Sequence, residues 1–190
     1  GENIMRIVQL KEETRKNILE DLLKRDPNNY TAYESTVQEI VEDVRKNRDQ
    51  ALFAYTKKFD GADLDSSNIR VTEAEIQEAM SQVDPELLTV MKRAMKNIRE
   101  YHEKQKQYSW FDSRPDGTLL GQKVTPLSSV GVYVPGGKAA YPSSVLMNII
   151  PAEVAGVPRI VMVTPPDKNG KVNPVTLIAA HLAGATEVYK

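Results

Sequence analysis

One stretch of the chain, residues 128–166, constrains the fold more than any other. It reads SSVGVYVPGGKAAYPSSVLMNIIPAEVAGVPRIVMVTPP. Alternating β-branched residues predict a strand over residues 130–134, and the Pro-Gly-Gly sequence at 135–137 ends it in a turn. Apolar residues at helical spacing follow, and a nearly continuous apolar run at residues 160–163 predicts a second strand buried on both faces. This order is that of a strand, a crossover helix and a parallel strand.

The same alternation continues to the last residue. Leu177, Ile178 and Leu182 mark a second crossover helix that ends at Gly184, and residues 186–190 begin a third strand. Two successive crossovers imply parallel strands with right-handed connections. The predicted fold class is therefore α/β, with a helical amino-terminal region followed by an incomplete Rossmann-like parallel sheet with crossover helices.

Composition changes along the chain and predicts a domain division. Residues 5–110 form a charged, helical amino-terminal region, and residues 111–190 begin an α/β nucleotide-binding domain. We expect residues 1–4, which precede Met5, to be an added leader. The chain stops where the loop after the third strand begins, so we expect a truncated domain with an exposed sheet edge at residues 186–190.

Composition and charge exclude several classes of function. The chain has 190 residues, of which 41% are hydrophobic, and 25 basic and 26 acidic residues give a net charge of −1. Interspersed charges argue against nucleic-acid binding. The sequence has no apolar run of about 20 residues that would span a membrane and no basic-then-apolar leader. With no cysteine present, we expect a cytoplasmic protein without disulfides.

The glycine turn matches neither of the common phosphate-binding motifs. Lys138 is followed by Ala139 where a P-loop requires Ser or Thr, and the glycines do not fit G-x-G-x-x-G. From the residues alone, a ligand-binding role and a purely structural tight turn both remain open for residues 135–137. Tyr133, near the carboxyl end of its strand, is either a ring that stacks on a ligand or a buried tyrosine.

The two histidines do not predict a metal centre or a catalytic site. His102 and His181 lie on the apolar stripes of their helices, far apart in sequence, and a zinc site needs three or four ligands. We therefore expect no metal site in these residues. No arrangement of nucleophile and base can be assembled either, so we name no catalytic residue. The residues alone predict a partial α/β ligand-binding lobe.

Three segments closely resemble the histidinol dehydrogenase family. They are the stretch from Val130 to Pro166 quoted above, NIREYHEKQ at residues 97–105, and QALFAYTKKFDG at residues 50–61. The resemblance covers nearly the whole chain and is to the amino-terminal portion of that family only. It implies a zinc-dependent homodimer of intertwined subunits that oxidises L-histidinol to L-histidine with two NAD+.

The resemblance assigns few site residues to this chain. It implies that Tyr133 contacts NAD and that Gly136 and Gly137 keep the turn open beside it. The family's zinc ligands and catalytic residues lie beyond Lys190, so we expect no zinc site and no dehydrogenase activity in this chain alone. The alternative is a stand-alone nucleotide-binding or assembly module without redox chemistry.

Overall fold

A computed structural model describes residues 11–12, 31–136 and 140–190 of the chain. The chain divides into two compact units, of which the first ends at Asn47 and the second is Arg48–Lys190. Helix α1 (Thr31–Asn47) belongs to the first unit, and its last turn carries Arg45 and Lys46, whose charges complement the helix dipole. The expected leader at residues 1–4 lies outside the described residues.

Three further helices open the second unit: α2 (Asp49–Phe59), α3 (Glu73–Gln82) and α4 (Pro85–Glu103). Helix α3 begins in a capping box, in which the Thr72 hydroxyl accepts from the Glu75 amide at 3.3 Å. The Glu75 carboxylate in turn accepts from the Thr72 amide at 2.9 Å. A short antiparallel hairpin of β1 (Trp110–Ser113) and β2 (Leu119–Gln122) follows α4.

The rest of the second unit is a three-stranded parallel sheet with two crossover helices. The elements in chain order are β3 (Val130–Tyr133), α5 (Pro142–Val154), β4 (Ile160–Val163), α6 (Pro174–Ala183) and β5 (Glu187–Tyr189). Strand order in the sheet is β3-β4-β5, and both pairings are parallel. Gly184 ends α6 in the left-handed region at φ 100°. The predicted fold class is confirmed.

The core lies on one face of this sheet. Val132, Met162 and Val188 form one cross-strand row of buried side chains. Helices α5 and α6 contact each other, and α4 and α3 pack against α5 and α6 respectively. The largest fully buried side chains are Leu146, Ile149, Ile150, Ile160, Met162, Ile178, Val134 and Val145.

The opposite face of the sheet is open within the described residues. Val163 is 43% exposed and Tyr133 is 65% exposed. The prediction that residues 160–163 are buried on both faces is therefore wrong for this chain. The strand order β3-β4-β5 means that each strand lies on the same side of the strand before it. Two right-handed crossovers in that order place both α5 and α6 on the same face of the sheet.

The predicted exposed edge at residues 186–190 is also wrong. Residues 69–71 run antiparallel along the outer side of β5. The Val71 amide donates to the Val188 carbonyl at 2.9 Å, and the Lys190 amide donates to the Ile69 carbonyl at 2.9 Å. A segment more than a hundred residues earlier in the chain thus covers this edge. The local sequence pattern did not predict this pairing.

Candidate functional site

The carboxyl ends of β3 and β4 border a cleft of about 390 Å³. In open parallel sheets this is the edge at which ligands bind. The walls come from α3, from the two loops that follow β3 and β4, and from the start of α6. Lining residues include Glu75, Glu78, Gln82, Pro135, Gly136, Thr164, Pro165, Asp167, Lys171, Asn173 and Thr176.

Gly136 lines this cleft where the two strand-end loops touch. A Cβ placed on Gly136 would lie 2.9 Å from the carbonyl oxygen of Pro165 and 3.2 Å from the Pro165 ring. Only glycine permits so close an approach without movement of one loop. Gly137, the second predicted turn glycine, lies outside the described residues.

Tyr133 is the last residue of β3 and faces the open side of the sheet. It pairs in register with Val163, which pairs with Tyr189, so these three side chains form one cross-strand row. The Tyr133 side chain is 65% exposed, which excludes the alternative of a buried tyrosine within the described residues. An exposed ring at a strand end can stack on a planar ligand.

The structure therefore separates two residues that the sequence grouped together. Gly136 lines the cleft, whereas Tyr133 is not among the residues that line it. The two lie three positions apart in the chain, but alternation along the strand turns Tyr133 away from the core. A ligand that contacts Tyr133 lies on the open face, next to the cleft rather than within it.

A second polar feature, which sequence analysis missed, lies on the open face beside that row. The Glu187 carboxylate accepts from Arg159 Nε at 2.6 Å and from the Tyr189 hydroxyl at 2.8 Å. These hydrogen bonds, with the charge of Arg159, lower the pKa of Glu187 to about 2. The same contact with Glu187 raises the pKa of Tyr189. The carboxylate thus fixes Tyr189 in the row that contains Tyr133.

Two ion pairs hold α3 against the cleft. Lys190 Nζ lies 2.6 Å from Glu75 Oε1, and the Lys190 side chain is only 4% exposed. Burial raises the pKa of Glu75, but hydrogen bonds from Lys190 and Thr72 outweigh it, so the net pKa is lowered. Lys171 Nζ lies 3.0 Å from Glu78 Oε2. Both pairs join residues far apart in sequence, so no local pattern could have indicated them.

The described residues do not fit a zinc ion. No group of three or more His, Asp or Glu side chains in residues 31–136 and 140–190 comes together as a metal site. His102 Nδ1 lies 2.6 Å from Gln105 Oε1 at the end of α4. His181 is exposed on α6, contrary to its predicted place on the inner stripe. The described residues therefore do not form a zinc site.

No described helix is both long enough and apolar enough to cross a membrane. The parallel sheet, its crossover helices and the cleft at the carboxyl edge define a lobe of the open-sheet α/β class, in which ligands commonly bind at that edge. A family model described as histidinol dehydrogenase matches residues 23–190. The chain belongs to the histidinol dehydrogenase family, which confirms the resemblance found in the sequence.

Individual relatives agree with this assignment. The chain is 59% identical over 155 residues to the histidinol dehydrogenase of Bacillus subtilis and 56% identical over 154 residues to that of Heliobacterium mobile. These matches cover 82% and 81% of the chain, but only 36% of each relative. The crystal structure of histidinol dehydrogenase from Elizabethkingia anophelis matches 83% of the chain and 36% of its own, with a TM-score of 0.77 and 38% identity. The chain thus spans about a third of the length of these relatives.

Proposed function

We propose that this chain is the amino-terminal part of a histidinol dehydrogenase, which oxidises L-histidinol to L-histidine with reduction of two NAD+ in histidine biosynthesis. The observation that carries the proposal is the family match over residues 23–190, together with 59% identity to a relative of that name. The complete enzyme is a cytoplasmic homodimer with one zinc ion per active site. The chain's own contribution is a lobe that binds cofactor.

Within this lobe, Tyr133 contacts NAD on the open face of the sheet. Its exposed ring at the carboxyl end of β3 supports this role, because an aromatic face stacks on a nucleotide base or on nicotinamide. Gly136 supports the site from the adjacent turn, where its contact with Pro165 fixes the loop after β3. Gly137 is included in the proposed cofactor site on the family resemblance alone. When bound, NAD supplies the hydride acceptor, and the chain positions it.

The zinc ligands and the catalytic residues belong to the part of the enzyme that this chain does not include. Hydride transfer needs substrate, nicotinamide and a base held together at reacting distance. The lobe provides one wall of that arrangement, so the chain alone does not oxidise histidinol.

Two measurements on the purified 190-residue chain test this division of roles. The first is NADH absorbance after addition of L-histidinol, NAD+ and Zn2+, for which we expect no increase. The second is calorimetric titration with NAD+, for which we expect weak binding, because affinity requires a pocket closed on several sides. Sustained NADH formation would contradict the proposal. Tight NAD+ binding without turnover would instead favour a stand-alone nucleotide-binding module.

The role of Tyr133 is tested in a complete enzyme that carries this sequence. Tyr133→Ala should raise the KM for NAD+ and leave the KM for histidinol nearly unchanged, because the ring contacts only the cofactor. Tyr133→Phe should retain most of the affinity, since stacking does not need the hydroxyl. Tyr108→Ala is a matched control, because Tyr108 is exposed but lies outside the sheet. An unchanged KM for NAD+ in Tyr133→Ala would remove Tyr133 from the cofactor site.

A further inference from the structure

The last residues of the three parallel strands form one row on the open face of the sheet. Tyr133 ends β3, Val163 ends β4 and Tyr189 ends β5, and the pairing register places them side by side. In open parallel sheets, ligands bind at this carboxyl edge. Tyr189 therefore lies at the same edge as Tyr133, although the resemblance in the sequence assigned an aromatic cofactor contact to Tyr133 only.

The row places a smaller side chain between two aromatic rings. Neighbouring strands lie about 4.8 Å apart, so Tyr133 and Tyr189 are separated by about 10 Å across Val163. Val163 is 43% exposed, and neither tyrosine stacks on another aromatic ring among the described residues. A planar ligand ring that lies over Val163 therefore has a tyrosine ring on either side.

A carboxylate on the same face fixes the position of Tyr189. The Tyr189 hydroxyl donates to Glu187 Oε2 at 2.8 Å, and Arg159 Nε donates to Glu187 Oε1 at 2.6 Å. Tyr189 is partly buried, whereas Tyr133 is 65% exposed. Because the Tyr189 ring is already held in place, it loses little conformational entropy when a ligand binds.

The charges beside the row disfavour an apolar protein layer as its cover. Glu187 lies on the same face as Tyr189, and its pKa of about 2 keeps it ionised at neutral pH. On β3, the corresponding position is Gly131, whose Cβ would meet nothing within 4 Å. Covering the ion pair of Glu187 and Arg159 with an apolar layer would cost desolvation energy. A ligand that combines planar rings with polar groups suits this face better.

We propose that Tyr189 is a second aromatic contact for the cofactor, opposite Tyr133, and that Glu187 is the residue that positions it. One planar ring of NAD then lies over Val163, between the two tyrosines. This inference rests on the proposed function, because it takes the contact between Tyr133 and NAD as its starting point. It adds two residues to the cofactor site, one that contacts the ring and one that acts through the first.

The test is steady-state kinetics of a complete enzyme that carries this sequence. Tyr189→Ala should raise the KM for NAD+ by about two- to tenfold, as expected for loss of one ring contact. The KM for histidinol should stay nearly unchanged. Tyr108→Ala is the matched control, because Tyr108 is exposed but lies outside the sheet. A Tyr189→Ala enzyme in which both KM values rise together would have a structural defect, and this result would overturn the proposal.

A double-mutant cycle tests the role of Glu187. Glu187→Ala should raise the KM for NAD+, because Tyr189 loses its anchor. In a Tyr189→Phe enzyme, which lacks the hydroxyl that Glu187 accepts from, Glu187→Ala should cause no further rise. Asp63→Ala, which breaks the exposed ion pair with Lys57 outside the sheet, is the control for loss of a carboxylate. Equal effects of Glu187→Ala in both backgrounds would refute the positioning role. If Tyr189→Ala fails to fold, this cycle decides the proposal by itself.

Measuring Tyr133→Ala in the same series separates this inference from the proposed function. A raised KM for NAD+ in Tyr133→Ala with an unchanged value in Tyr189→Ala would overturn this inference and leave the proposed contact of Tyr133 intact. Unchanged values in both variants would contradict the proposed cofactor contact itself.

Discussion

Gly136→Ala is the substitution for which the structure makes the sharpest quantitative prediction. The added methyl group would lie 2.9 Å from the Pro165 carbonyl oxygen and 3.2 Å from the Pro165 ring. Neither neighbour is the flexible end of a side chain, so one of the two loops must move. Overpacking of this kind costs about 1–3 kcal/mol of unfolding free energy. Gly131→Ala is the matched control, because nothing lies within 4 Å of its Cβ.

The assay is urea unfolding of both variants, followed by far-ultraviolet circular dichroism. A destabilisation of about 2 kcal/mol, at a denaturant slope of roughly 2 kcal/mol per molar urea, lowers the midpoint by about 1 M. Gly131→Ala should leave the midpoint unchanged or raise it slightly, since alanine loses less chain entropy on folding. Equal midpoints for the two variants would refute the reasoning that the contact between the loops requires glycine at 136.

The remaining predictions concern other parts of the second unit. The pKa of Glu187 is about 2 in the folded chain against an ordinary 4.5. As the pH falls, Glu187 is therefore protonated in the unfolded chain before it is protonated in the folded chain. Its stabilisation is complete above pH 4.5 and is lost towards pH 2, and unfolding of Glu187→Gln against pH should lack this decline. Ile178→Ala, at a fully buried position, should cost about 2–5 kcal/mol in urea unfolding. Thr72→Ala removes the capping box of α3 and should cost about 1 kcal/mol in the same assay; an unchanged midpoint would show that the cap is not stabilising.

Local patterns in the sequence were sufficient to predict most of the secondary structure. The Pro-Gly-Gly turn, the β-branched run at 130–134 and Gly184 each act through neighbouring backbone, so the order of strands and crossover helices could be inferred. The capping box of α3 is a pattern of the same local kind, because Thr72 and Glu75 lie three residues apart. These signals are short-range, and the structure confirms the strand at 130–133 and the helix end at Gly184.

What the sequence could not predict depends on contacts between distant segments. Residues 69–71 pair with the outer edge of β5. Lys190 forms an ion pair with Glu75, which lies 115 positions earlier in the chain. The apolar run at residues 160–163 does not reveal whether the rest of the protein covers one face of the sheet or both. Likewise, the sequence could not show that Tyr133 lies on the open face while Gly136 lines the cleft, because this depends on which face of the sheet the crossover helices occupy. Site geometry therefore required the fold, although the family was evident from the residues.

The most direct test of the central claim is a chimeric enzyme. In it, this chain replaces the matching 155 residues of the Bacillus subtilis relative, and histidinol-dependent NADH formation is measured beside the unmodified relative. Because the chain is proposed to supply the amino-terminal lobe of the same enzyme, the chimera should oxidise histidinol at a rate comparable to that relative. A chimera that folds and binds Zn2+ but forms no NADH would contradict the account.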